Sequence, residues 1–169
     1  MFFKEKLVGV VGGGNSALTA ALYLAEIAQK VKLIVRDDKL RGEMVWVDNV
    51  LANSKIEVIF NTNVAKLKGE NKLELVELNN KNGDSSDLKL DGLFIEIGTE
   101  PDTTLSDLLG IKLDRGYISV DSQQKTNVDG VWAAGDITTN SGLFRQVITA
   151  CSEGAVATYS IFSEIQKNN

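Results

Sequence analysis

Gly12-Gly13-Gly14-Asn15-Ser16-Ala17 is the stretch whose residue types and spacing point most directly to chemistry. Gly12-x-Gly14-x-x-Ala17 has the form of a dinucleotide fingerprint with alanine in the third place. The first glycine permits a tight turn, and the second lets the backbone approach a pyrophosphate with no side chain between. The third small residue lets a helix pack closely on a strand. Free N–H groups at the helix start, with the positive end of its dipole, hold phosphate charge. Asn15 or Ser16 can add a cap or a side-chain hydrogen bond. A tight strand–helix turn that binds nothing would need only one of these glycines.

The charged run Arg36-Asp37-Asp38-Lys39, followed by Arg41, lies where such a site chooses its cofactor. An acid there bonds the ribose 2′-hydroxyl of NAD, and arginines bond the 2′-phosphate of NADP. Both kinds of residue are present, so the choice stays open. A solvated charged loop is the plain alternative for any one of them.

These residues need elements to position them. Leu7 to Val11 is a short apolar run ending at the glycines, and Asn15 to Lys30 is a helical stretch with Leu18, Leu22, Ala25 and Ala28 on one face. Val31 to Val35 is a second apolar run. Strand, glycine turn, helix and strand make a βαβ unit. Arg41 to Asn53 reads as a second helix with Met44, Val47 and Leu51 on one face, and Ile56 to Phe60 as a β-branched strand. Val64 to Leu67, Leu73 to Leu78 and Leu88 to Leu90 alternate apolar and polar residues between turn signals, which predicts an antiparallel meander. Leu93 to Ile97 is a further strand, ending at Gly98. Beyond it come a polar stretch with Pro101, a short helix around Leu105 to Leu109, strands at Tyr117 to Val120 and Gly130 to Ala134, and a long helix from Arg145 to Gln166. The natural division lies near Gly98 to Pro101. The expected fold class is α/β: a three-layer Rossmann-like domain with a β-meander, then an incomplete second unit.

Composition narrows the chemistry. The 169 residues are 43% hydrophobic and 24% charged, as in a globular protein. No apolar run approaches the roughly 18 residues that span a bilayer. The N-terminus lacks the pattern of a signal peptide, so a cytoplasmic location is expected. A net charge of −5 without a basic stripe argues against nucleic acid or anionic membranes as partners. With no histidine, Ser-His and Cys-His pairs and most zinc sites are excluded, and no metal site is expected. Cys151 is the one cysteine, so this chain forms no dithiol of its own. Cys151 and Trp46 are expected as packing, and Asp84, Asp87 and Asp91 as solvated turn acids.

The runs VVGGGNSALTAALYLA, LIVRDDKLRG, GLFIEIGTEPDT, GVWAAGD and FRQVITACSEGAVA, in this order, resemble the low-molecular-weight thioredoxin reductases and the related alkyl hydroperoxide reductase flavoproteins. The resemblance covers nearly the whole chain. It implies that residues 1–96 correspond to a complete nicotinamide-nucleotide domain, and residues 97–169 to the C-terminal part of an FAD domain. It also implies that Gly12, Gly13, Gly14, Asn15, Ser16 and Ala17 hold a pyrophosphate, and that Arg36 and Arg41 meet the adenosine ribose or its phosphate. Gly98 closes the nicotinamide domain's last strand among the cofactor-binding positions. Gly135 and Asp136 correspond to the segment that bonds the FAD ribityl chain. Arg145, Gln146 and Val147 correspond to the segment approaching the isoalloxazine ring.

Two departures from the family pattern stand out. A redox Cys-x-x-Cys-Asp-Gly is expected just ahead of Met1-Phe2-Phe3. The signature His-Arg-Arg-x-x-x-Arg for NADPH reads Val35-Arg36-Asp37-Asp38-Lys39-Leu40-Arg41, which brings NADH into play beside NADPH. The expectation is the NAD(P)H- and FAD-binding portion of a flavoprotein disulfide reductase, in which hydride passes from NADPH to FAD and on to a dithiol outside this chain. Thioredoxin or a similar disulfide protein is the implied acceptor. No catalytic residue is assigned to this chain. The alternatives are a stand-alone nicotinamide-binding module or partner subunit, and a bare fragment. Uncovered apolar faces predict a homo-oligomer or a disordered C-terminal region.

Overall fold

Val8 and Val10 alternate with Leu7 and Val11, and this period of two splits the first strand's side chains between opposite faces. The computed structural model, which describes residues 2–142 and 144–167, builds layers on both faces. Strand β1 (Leu7–Val11) leads into helix α1 (Asn15–Ile27), β2 (Lys30–Ile34), α2 (Met44–Ala52) and β3 (Ile56–Ile59). Strands β4 (Thr62–Lys68), β5 (Leu75–Asn80) and β6 (Ser85–Lys89) follow, and β7 (Gly92–Ile95) closes the first unit.

The parallel sheet has the order β3-β2-β1-β7, with Val10 opposite Leu33 on one side and Phe94 on the other. One face packs Val8, Val10, Val31, Leu33 and Val35 against Ala17, Leu18, Ala21, Leu24 and Ala25 of α1. The opposite face turns Leu7, Val11, Ile34 and Leu93 toward Val76 and Leu78 of the antiparallel β4-β5-β6 meander and toward Leu90 just after it. Helices, sheet and meander are therefore the three layers of an α/β Rossmann-like unit.

Several boundaries differ from the sequence expectation. Helix α1 ends at Ile27 rather than at Lys30, because Ala28 is extended and the Gln29 and Lys30 N–H groups donate to the Lys6 carbonyl. Helix α2 starts at Met44 rather than at Arg41, because the Arg41 N–H is drawn to the Gly13 carbonyl and Glu43 becomes the N-cap. Its packing face is also different. Val50 is buried, with Trp46 and Val47 against the core, while Met44 and Leu51 are exposed. The face is set by where α1 lies, and position alone cannot reveal that. The three turn acids are partnered: Asp91 accepts the Leu7 N–H, Asp84 accepts from Asn80, and Asp87 pairs with Lys68.

The chain divides into two units between Gly98 and Thr99. The second carries α3 (Thr104–Leu109), the short pair β8 (Leu113–Asp114) and β9 (Tyr117–Ile118), and α4 (Val147–Lys167). The expected strand at Gly130 to Ala134 is not formed. Only an isolated bridge, Lys125 to Trp132, stands there, because the segment has no longer neighbouring strand to ladder with. Cys151 is exposed, contrary to expectation, because the stripe that α4 buries runs through Glu153, Ala157 and Ser160. Among the described residues no helix is long and apolar enough to cross a membrane.

Leu33 of β2 is fully buried in the core shared by the sheet and α1. Leu33→Ala is expected to destabilise the first unit by about 2–5 kcal/mol, read as a lower midpoint in denaturant unfolding.

Candidate nucleotide-binding site

The glycine turn sits where three strand ends and one helix start converge. Gly12 donates its N–H to the Ile34 carbonyl at 3.0 Å, and Glu96 donates to the Val11 carbonyl at 2.8 Å. Gly12 has φ of +141°, and a Cβ on it would lie 2.2 Å from the Glu96 carbonyl oxygen and 2.9 Å from the Ala17 Cβ. That glycine is demanded by the fold itself. Gly14 is different. Its φ of −94° and ψ of −179° are open to any residue, and a Cβ there would meet nothing within 4 Å.

Gly14 is the N-cap of α1, and no side chain caps this helix start. Its first amides therefore face outward with the positive end of the helix dipole. The Asn15 side chain is committed elsewhere: Oδ1 accepts the Glu43 N–H at 2.7 Å, and Nδ2 donates to Glu43 Oε1 at 3.1 Å. Asn15 thus ties the start of α1 to the start of α2, and its backbone N–H stays among the amides of the helix start. Ser16 is exposed, whereas Ala17 is fully buried beneath the turn and lets helix and strand close up.

A cleft of about 770 Å³ opens over this turn. Gly12, Gly13, Gly14, Asn15, Ser16, Arg36, Arg41 and Gly98 all line it. The far wall comes from Thr62 to Leu67 of β4 and from Leu93, Ile95, Glu96 and Ile97. Such a volume suits a dinucleotide-sized ligand. At the charged end, Asp37 Oδ2 lies 3.6 Å from Arg36 Nε and 3.2 Å from Arg41 Nη2. The Arg41 N–H also donates to the Gly13 carbonyl at 2.7 Å, so one residue joins the charged end to the glycine turn. An uncapped helix start, an uncrowded Gly14 and this charge cluster make a donor set that fits a nicotinamide nucleotide.

The remaining candidate residues lie in the second unit. Gly135 adopts φ of +91°, and Asp136 beside it is exposed. Arg145 and Gln146 precede α4, which begins at Val147. The Gln146 N–H donates to Thr149 Oγ1 at 3.1 Å, a side-chain cap from the first turn. The Arg145 guanidinium stacks 4.0 Å from the Tyr117 ring centroid, and its buried Nε has no hydrogen-bond partner. That orphaned donor and the exposed Asp136 carboxylate suit a polar cofactor such as FAD.

Glu153 is a residue that sequence reasoning missed. It is buried on α4, and its Oε2 accepts the Gly135 N–H at 2.8 Å and the Thr138 hydroxyl at 2.7 Å, while Oε1 accepts the Ser141 hydroxyl. Burial pushes its carboxyl up, but the hydrogen bonds from Ser141, Thr138 and Gly135 outweigh it and hold the group below its ordinary value. A carboxylate on an amphipathic helix gives no sequence signal of this role, since its partners lie up to 18 residues away.

A family model described as pyridine nucleotide-disulphide oxidoreductase matches residues 3–154. The thioredoxin reductase of Bacillus subtilis is 38% identical over 162 residues, covering 95% of this chain and 51% of that protein. The crystal structure of Lactococcus lactis thioredoxin reductase (FR conformation) superposes with a TM-score of 0.89 at 32% identity, covering 98% of this chain and 55% of the other. The T. acidophilum thioredoxin reductase structure gives a TM-score of 0.84 at 36% identity, with 96% and 53% coverage. The chain spans about half the length of the curated relatives it matches.

The Glu153 carboxylate sets an acid limit on the second unit. Its folded-state value is depressed, so its stabilisation is complete above the ordinary carboxylate value of about 4.3 and is lost as pH falls through the folded one. Glu153→Gln should cost about 2–3 kcal/mol at neutral pH and flatten this acid dependence. Hydrogen exchange at the Gly135 amide, followed from pH 7 downward, checks both outcomes.

Proposed function

The chain belongs to the pyridine nucleotide-disulphide oxidoreductase family, and on that premise we propose that it is the NAD(P)H- and FAD-binding portion of a thioredoxin reductase-type flavoprotein. Residues 1–96 form the nicotinamide-nucleotide domain, and residues 97–169 contribute the C-terminal part of the FAD domain. The observation that carries the reading is Gly14. Neither its backbone angles nor its surroundings within the protein require glycine, whereas a pyrophosphate lying against its backbone does.

In this reading the backbone N–H groups of Asn15 and Ser16 hold the pyrophosphate, with Gly12 shaping the turn and Gly13 and Gly14 exposing it. Ala17 lets α1 approach β1. Arg36 and Arg41 bind the adenosine ribose side, and Gly98 lines the same cleft. In the second unit, Gly135 and Asp136 hold the flavin's ribityl chain. Arg145, Gln146 and Val147 bring the start of α4 toward the flavin ring, where the positive end of a helix favours negative charge. Glu153 keeps the Gly135 segment in place. When bound, the two cofactors supply hydride and electron transfer toward a disulfide, and the cysteine pair is contributed from outside this chain. Thioredoxin, or a similar disulfide protein, is the acceptor proposed for the whole protein, in a cytoplasmic setting.

A second reading, a nicotinamide-binding module or partner subunit without catalysis of its own, is favoured by the exposed apolar residues of α4. Val147, Ile148, Tyr159, Phe162 and Ile165 all lie open to solvent. They support a homo-oligomer, which sedimentation would report as a mass rising with concentration. A constant monomer mass would reject self-association.

The two glycines test the site directly. Gly14→Ala should weaken NADH or NADPH binding about tenfold or more while changing stability by no more than about 1 kcal/mol. Gly12→Ala should lower stability by at least about 2 kcal/mol. Calorimetric titration and thermal unfolding of both variants separate the roles. Unchanged nucleotide binding in Gly14→Ala would remove the principal support for the site.

A further inference from the structure

Asp37 stands three residues beyond the end of β2, where its carbonyl accepts the Asn61 N–H at 3.0 Å. Its carboxylate lies within the lining of the cleft, partly exposed between the side chains of Arg36 and Arg41. Resting on the nucleotide-site reading above, we propose that Asp37 is the specificity residue of this site and makes the chain prefer NADH to NADPH.

The argument is one of charge and free valence. Both arginine contacts are made to the same oxygen, Oδ2. The other oxygen, Oδ1, is left to accept hydrogen bonds, and an ionised carboxylate only accepts. A ribose with free 2′- and 3′-hydroxyls supplies the donors it needs. Asp37 lies 20 residues beyond Ala17, about the spacing at which a dinucleotide fold places its ribose acid. The arginines hold the carboxylate still instead of facing a phosphate.

A 2′-phosphate reverses every term. It brings a charge of about −1.5 to −2 to a site where Arg36, Asp37 and Arg41 sum to only +1. Arg36 and Arg41 would have to share their N–H donors between the phosphate and Asp37, and the carboxylate would stand beside the phosphate as a like charge. Asp38 and Lys39, both exposed on the same loop, cancel one another and restore nothing.

Parallel titrations of NADH and NADPH into the full chain, followed by calorimetry, test this. The expected result is NADH binding about tenfold or more tightly than NADPH. Asp37→Ser and Asp37→Asn should each narrow or invert that ratio, weakening NADH and strengthening NADPH, with the NADPH gain shrinking at high salt. Both variants change a partly exposed position outside the core, so thermal unfolding should be little altered. Equal or tighter NADPH binding by the unaltered chain would overturn the proposal and leave the nucleotide site standing. A ratio unmoved by both variants would do the same. Binding of neither nucleotide would overturn the proposal together with the site reading it rests on.

Discussion

The first unit is organised around the point where Gly12 passes Glu96. At 2.2 Å from a would-be Cβ, the Glu96 carbonyl leaves room for hydrogen only. This contact lets the ends of β1 and β7 lie side by side while the chain turns into α1. Because the turn is that tight, the start of α1 points its amides over the sheet's carboxyl end. The crevice outside that end is where open α/β sheets bind ligands. The cleft, the uncapped helix start and the charged loop at the end of β2 all follow from this one close approach.

A second constraint operates in residues 99–169. Its elements are short, and α4 does not dock through an apolar stripe. Glu153 and Ser160, one face of the helix, hold Gly135, Thr138, Ser141 and the Trp132 indole N–H by hydrogen bonds. Lys125 adds a 2.5 Å ion pair with Glu164 and lies over the Trp132 ring. A unit fastened by directional contacts has a defined geometry without a large core, but its rigidity depends on the ionisation of Glu153. Its apolar side chains, meanwhile, are left facing solvent on α4.

Both units place a helix N-terminus beside a glycine with positive φ, Gly12 ahead of α1 and Gly135 ahead of α4. The physical logic differs. At α1 the glycine is enforced by backbone crowding and the helix start is uncapped. At α4 the start is capped by Thr149, and the glycine's N–H is already taken by Glu153. The first arrangement leaves backbone donors open to an anion. The second adds side chains, the exposed Asp136 and the Arg145 Nε without a partner, as open polar groups.

Local pattern was enough to identify the βαβ unit, the meander and the glycine turn, because each is written in short-range periodicity and in residues with special backbone freedom. The alternation of Leu7 to Val11, the glycine spacing and the alanine-rich helix are properties of neighbouring residues, so they are visible in the sequence. What tertiary structure alone decided depends on which distant groups meet. Sequence could not say that Gly12 is crowded by Glu96 while Gly14 is crowded by nothing. Nor could it show that Asn15 is spent on Glu43, that α2 buries Val50 rather than Met44 and Leu51, or that Gly130 to Ala134 lacks a ladder partner. The charged loop is the clearest case. Its residue types allowed either nucleotide, and only the folded placement of Asp37 between Arg36 and Arg41 turned a list of charges into a geometry. Long-range contacts are set by packing of the whole sheet, and no window of sequence contains them.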